Sequence, residues 1–339
     1  MENKKKVHIA ACVVTYNQER YIRQCIESIL QQKTDYILDI VVGNDASMDN
    51  TAEVLNQLQA QNPGRLIVFN RSHNIGLVAN TIDLFRYILA HDYAYTAMID
   101  GDDYWCDQEK IQRQVELMEQ NQDVAFCYMR TTSDAKMAVA PKQDNPQIVI
   151  REMFNDIRHT GIGNGTVLHR NTFLRNVPFE KILAQHLLSM DYTTNVYMAQ
   201  QGEVAYIDRV SLYWRRTGNT VSMSADKEKA FRYIDHEVRQ GLFLAGEFPN
   251  TTYAFSREEA ERFRQWQMYQ WGLSKRNYDV VRECLQSDCF PIQWLSSAPE
   301  KKYLGNKCMF NIYIYIYIIK KMKTIWGIMK KKICRRVGK

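Results

Sequence analysis

Residues 95–103 read YTAMIDGDD, an apolar, β-prone run that passes directly into Asp100-Gly101-Asp102-Asp103. A short continuous apolar run reads as a strand buried on both faces. The acidic tetrad then lies at the strand's carboxyl end, where ligands bind in sheets covered by helices. Three carboxylates within four residues repel one another and need a cation or hydrogen-bond donors to offset the charge. Carboxylate oxygens suit Mg²⁺ or Mn²⁺, and such an ion also bridges phosphate groups. A departing diphosphate needs that positive charge as its bond breaks. The competing reading is an acidic loop that caps a helix starting near Asp107, since Asp-x-Asp alone is a weak signal.

The same alternation extends outward on both sides. VHIAACVV (7–14), ILDIVVG (37–43), RLIVF (65–69) and DVAFCYM (123–129) read as further strands. Between them, residues 19–32, the segment after Asn50, residues 76–89 and residues 108–120 carry helical spacing. Strands alternating with helices predict an α/β fold with a mostly parallel sheet and helices on both faces. Further on, 130–148 reads as loop, 164–170 as a strand and 172–200 as mainly helical. EVAYI (203–207) and VSLYW (210–214) read as a strand pair. From 226 the pattern is helical with Phe231, Ile234, Val238 and Leu242 on one stripe, and a second long helix runs from Ser256 to about Leu285.

The whole chain carries a formal charge of +6, but residues 301–339 hold twelve Lys and Arg and no Asp or Glu, which leaves residues 1–300 at −6. An acidic body is a poor nucleic-acid platform, so no nucleic-acid partner is expected. The eight cysteines show neither a disulfide framework nor metal-knuckle spacing, and Cys12 and Cys127 fall in strand-like runs, as free core thiols in a reducing compartment would. The sequence shows no signal-peptide pattern and no run of eighteen apolar residues, so a cytoplasmic protein without an ordinary membrane span is expected.

Rival nucleotide folds find no support. The first strand ends in Thr15-Tyr16-Asn17 with no G-x-G-x-x-G, and no G-x-x-x-x-G-K-[ST] occurs anywhere. The glycine group Gly161-Ile162-Gly163-Asn164-Gly165 precedes a strand and reads as a flexible turn. The second strand leads into Asn44-Asp45-Ala46-Ser47-Met48-Asp49-Asn50-Thr51. Asp45 is a candidate for contact with a nucleotide base, while Ser47 or Asp49 would cap the following helix.

Four ordered segments resemble the family-2 glycosyltransferases of the GT-A fold: 13–19 (VVTYNQE), 41–51 (VVGNDASMDNT), 74–80 (NIGLVAN) and 100–103 (DGDD). The resemblance covers residues 7–110 and continues more weakly to about 222. It implies a GT-A domain over 1–222, with a nucleotide-sugar-binding half (7–129) and an acceptor half (130–222). A helical region (223–300) and a basic aromatic tail (301–339) would follow. It places Thr15, Tyr16 and Asp45 at the nucleotide, Asp100 near the ribose, and Asp102 and Asp103 at the metal (Mn²⁺ or Mg²⁺) and diphosphate. Met190-Asp191-Tyr192 matches the family's catalytic carboxylate, which makes Asp191 the candidate base; an N-cap of the following helix is its bland alternative. Trp214-Arg215-Arg216-Thr217 stands where many members have Tyr-Arg-x-His, so Arg215 or Arg216 become the candidate diphosphate contacts.

The expected activity is inverting transfer of a sugar from a UDP-sugar donor to a saccharide or lipid-linked saccharide acceptor in bacterial surface-polysaccharide synthesis. A sugar-nucleotide-binding protein without activity, and a sugar-phosphate nucleotidyltransferase, are the alternatives; the second lacks its Gly-rich loop here. Residues 310–319 (FNIYIYIYII), flanked by Lys and Arg, read either as a closing strand or core helix, or as a patch on an anionic membrane surface at the inner face of the cell membrane.

Overall fold

The computed structural model describes residues 7–151, 162–217, 224–249 and 256–291, and the tail readings lie outside them. The chain divides into two compact units, Met1–Arg264 and Gln265–Lys339.

In the first unit the expected alternation is present: β1 (His8–Thr15), α1 (Ile22–Leu30), β2 (Ile37–Asn44), α2 (Thr51–Gln61), β3 (Leu66–Asn70), α3 (Leu77–Ala90) and β4 (Tyr95–Asp100). After the two-residue β5 (Tyr104–Trp105) come α4 (Lys110–Gln120), β6 (Val124–Thr132), α5 (Ala135–Val139) and β7 (Ile148–Arg151). Then follow β8 (Leu168–Arg170), α6 (Asn171–Leu174), α7 (Phe179–Leu183), α8 (Asp191–Ala199), β9 (Glu203–Tyr213) and α9 (Lys227–Glu247).

The nine strands form one sheet in the order β3-β2-β1-β4-β8-β6-β9-β5, with β7 also on β9. β1 to β4 are mutually parallel, and β6 and β9 run with them; β5, β7 and β8 run opposite. Side-chain alternation along β1 feeds two cores. Ala10, Cys12 and Val14 face α3, α8 and α9 through Val78, Ile82, Val196 and Leu244. Ile9, Ala11 and Val13 face α1, α2 and α4 through Ile26, Leu55, Ile111 and Val115. A central strand covered on both sides must be apolar throughout, which is why its sequence reads as an unbroken run.

Several expectations change. The segments 203–207 and 210–214 are one strand, β9, whose register against β6 shifts at Met129/Arg130 and Arg130/Thr131. These irregularities absorb Asp208-Arg209, the two residues between those segments. Residues 164–166 are a 3-10 turn ahead of β8. The glycines there permit close approach rather than flexibility: a Cβ on Gly165 would lie 2.8 Å from a Leu212 methyl. On α9 the buried residues are Ala230, Ile234, His236, Gln240 and Leu244, so the buried face includes two polar side chains. The last long helix is two, α10 (Arg257–Ser274) and α11 (Tyr278–Gln286). In the second unit Arg276 takes φ 56° and Asn277 caps α11 by accepting from the Val280 amide.

Candidate active site

The acidic tetrad is held by the sheet on both sides. Asp100 pairs with Val14 of β1, and the Gly101 amide donates to the Val14 carbonyl at 2.9 Å. A Cβ on Gly101 would lie 2.9 Å from the Thr15 Cβ and closer still to the Gln18 side chain, so only glycine lets this loop rest on the end of β1. Thr15 is buried there and donates to Gln18 Oε1 at 2.7 Å. Three residues on, β5 pairs with Leu212 and Tyr213 of β9.

The carboxylates remain crowded. Burial, then Asp102 and Asp191, push Asp100 up to about 7, opposed by a hydrogen bond from Asn164. Burial and Asp100 push Asp103 up to about 8. Asp102 is also raised by burial, and Arg215 works against it. Burial is the first cause of each shift, and neighbouring carboxylates add to it for Asp100 and Asp103.

Arg215 places positive charge against this loop. Its Nε donates to the Asp102 carbonyl at 2.7 Å, its backbone amide to Asp103 Oδ1 at 2.8 Å, and Nη2 to Gln24 Oε1 at 2.8 Å. The guanidinium lies 4.6 Å from the Tyr21 ring centre and 5.6 and 5.8 Å from those of Tyr104 and Tyr213. Arg216 is exposed and lies over Trp214 at 5.6 Å, away from these bonds. Of the two candidate arginines, then, only Arg215 is built into the loop.

At the neighbouring strand ends, Asp45 is buried and its amide donates to the Thr15 carbonyl at 3.0 Å. Its Oδ1 accepts from the Ile75 amide at 2.8 Å and Oδ2 from the Gly76 amide at 2.9 Å, which orders the turn before α3. Each oxygen keeps a second lone pair. Asp49 Oδ1 accepts from the Thr51 amide and Oδ2 from the Glu19 amide, both at 3.0 Å, so it serves the start of α2 and ties it to the turn between β1 and α1. Tyr16, Met48 and Leu77 are exposed around this edge.

Asp191 is the first residue of α8. The N-cap is Met190, without a side-chain cap, so Asp191 does not play the capping role. Among the described residues no hydrogen bond or ion pair reaches its carboxylate, which is close enough to Asp100 to raise it. Thr15, Asp100, Asp102, Asp103, Arg215 and Asp191 thus converge, with Asp45 and Tyr16 at the adjoining edge. Sequence reasoning missed Gln18, Tyr21, Gln24 and Asn164. Gln18 sat inside a recognised motif, whereas Tyr21 and Gln24 carry no pattern that sets them apart from any helix face.

Among the described residues no three His, Cys, Asp or Glu side chains form a ready metal cage. Two crowded carboxylates beside one arginine nonetheless fit a Mg²⁺ or Mn²⁺ ion that arrives with a diphosphate, because such ions take one or two protein carboxylates and complete their shell with phosphate and water.

The profile described as Glycosyl transferase family 2 matches residues 10–183. An uncharacterized protein of Mycobacterium tuberculosis is 26% identical over 233 residues, 68% of this chain and 65% of that protein. The uncharacterized glycosyltransferase EpsJ of Bacillus subtilis is 27% identical over 154 residues, 44% of this chain and 43% of its own. The chain therefore spans less than two thirds of these relatives' lengths. Two solved structures share the fold. S. aureus TarS in complex with UDP-GlcNAc superposes with a TM-score of 0.50 at 16% identity, covering 78% of this chain and 80% of that one. The mannosyltransferase PcManGT from Pyrobaculum calidifontis, in complex with GDP-Man and Mn²⁺, gives 0.52 at 13%, covering 87% and 79%. The matched segment runs from β1 through the acidic loop to α7, and the chain belongs to glycosyl transferase family 2.

Proposed function

We propose that this protein transfers a sugar from a nucleoside diphosphate sugar, UDP-linked, to a saccharide or lipid-linked saccharide hydroxyl with inversion at the anomeric carbon, in the assembly of a bacterial surface polysaccharide. The observation that carries the reading is Asp191 at the start of α8, with no hydrogen bond or ion pair to its carboxylate among the described residues and close enough to Asp100, at the end of β4, to raise it. One side suits a diphosphate; the other suits proton removal from an attacking hydroxyl.

In this reading Tyr16 and Asp45 line the base, and Asp100 lies at the ribose. Asp102 is the carboxylate left to hold a divalent ion, since Asp103 is buried and already accepts from Arg215. A bound Mg²⁺ or Mn²⁺ would supply positive charge to the diphosphate as the sugar leaves. Arg215 adds its fixed charge beside the same loop. Asp191 takes the acceptor proton and, as a single base opposite the leaving group, favours one displacement. The basic tail, outside the described residues, would meet anionic lipid at the inner face of the membrane. No helix of the described residues is long and apolar enough to cross a membrane.

The test is turnover of UDP-glucose, UDP-GlcNAc and GDP-mannose by slow hydrolysis, with Mn²⁺, with and without Asp191→Asn. The expected result is hydrolysis of one donor, lowered roughly 10²–10⁴-fold by Asp191→Asn with UDP affinity unchanged. UDP binding without turnover of any donor would favour an inactive binding protein, and normal rates in the variant would remove Asp191 as base.

A further inference from the structure

Among the described residues no bond fixes the Asp191 carboxylate, so its aim follows the backbone just before it. That backbone, Leu188-Ser189-Met190, precedes α8: the Met190 carbonyl accepts the first helix bond, from the Thr194 amide at 2.8 Å, but Leu188 and Ser189 lie beyond the helix's own hydrogen bonds. It is held instead by α9. The Leu188 amide donates to His236 Nδ1 at 3.2 Å, and His236 Nε2 lies 3.2 Å from Ser189 Oγ. An amide can only donate, so Nδ1 carries no proton. The proton is on Nε2, which donates to Ser189. One turn along, Gln240 donates to Thr193 Oγ1 at 2.9 Å. His236 and Gln240 are both buried, at 1% and 7% exposure. Tyr233 precedes His236 on the same face of α9 and lies close enough to Asp191 to feel its charge.

A buried histidine costs stability unless both ring nitrogens are matched, and apolar residues would cover α8 more cheaply. Here both nitrogens are spent on the two residues ahead of Met190-Asp191. We infer that His236 is a positioning residue. By gripping Leu188 and Ser189 it sets where the Asp191 carboxylate stands relative to the donor loop. The inference rests on the proposed role of Asp191. Burial keeps His236 neutral, down to about 4, in agreement with its acceptor role toward Leu188.

The experiment uses the full chain, Mn²⁺ and whichever of UDP-glucose, UDP-GlcNAc or GDP-mannose the wild type hydrolyses. His236→Leu removes both bonds while keeping bulk. It should lower kcat for hydrolysis by about 10²-fold, the scale of a displaced catalytic group, with donor KM unchanged. His236→Asn, which can still accept from Leu188, should recover most of kcat. His236→Leu combined with Asp191→Asn should be no slower than Asp191→Asn alone. Full kcat in a folded His236→Leu variant, equal loss in His236→Asn, or multiplying losses in the double variant would overturn the proposal. If His236→Leu does not fold, Ser189→Ala decides: a lowered kcat at unchanged KM supports the role, and wild-type kcat rejects it. A wild type that turns over no nucleotide sugar removes the functional reading and this proposal together, whereas variants that leave turnover intact remove only this one.

Discussion

Each carboxylate in the acidic loop meets its neighbours as a charge before it meets any ligand. Asp100 and Asp103 hold their protons up to about 7 and about 8, the first through burial, Asp102 and Asp191, the second through burial, Asp100 and Asp102. In the proposed site a divalent ion held by Asp102 would stand beside these two acids, its charge would favour their ionisation, and its binding would therefore release protons and strengthen as pH rises. Mn²⁺ affinity measured with UDP present should climb from about pH 6 to about pH 8.5, the span across which such carboxylates ionise. Calorimetry in two buffers of different ionisation enthalpy would count the protons, and Asp103→Asn should remove the upper step. Affinity that stays flat with pH would mean that the ion sits elsewhere. At this scale the sequence exposed the chemistry well: three crowded Asp after a buried strand are visible as text. It did not expose Gln24 or Asn164, because a lone amide acquires a role only from what folding brings beside it.

Among the elements, α4 and β9 are joined by a buried ion pair at the start of the helix. Arg209 Nε and Nη2 meet the two oxygens of Asp107 at 2.6 and 2.8 Å, with side chains 5% and 2% exposed. Breaking such a pair leaves one buried charge alone, which typically costs about 3–5 kcal/mol. Arg209→Leu should therefore lower stability by that order in urea unfolding, and adding Asp107→Leu should recover much of it. A loss under about 1 kcal/mol would show the pair to be hydrated in solution. The same Asp107 illustrates where reading by period fails. It sits near the helix start as expected, but its partner is about a hundred residues away on a strand that the sequence split in two at Asp208-Arg209. Alternation was legible for β1, β2 and β4 because burial on both faces leaves no polar interruption. It was only partly legible on α9, where Ile234 of the expected stripe is buried but Phe231, Val238 and Leu242 are only partly so, and His236 and Gln240 are sealed inside.

Across the whole molecule, charge is divided between an acidic body and a basic end. Truncation after Lys307 should weaken binding to vesicles of anionic lipid, because each Lys or Arg near such a surface contributes about 1 kcal/mol, and should leave donor hydrolysis unchanged. Vesicle binding equal to that of the full chain would assign those residues a part in the fold instead. The order of the chain has a further bearing on exchange of parts between relatives. α8 opens with Asp191, β9 follows, and Arg215 stands two residues past its end, bonded back to Asp102 and Asp103. One uninterrupted length of about 25 residues thus carries both the proposed proton acceptor and the arginine bonded to the acidic loop. A chimera joined between α7 and α8 inherits the two as a matched set, whereas one joined within β9 takes them from different parents and must re-fit an arginine to a foreign loop.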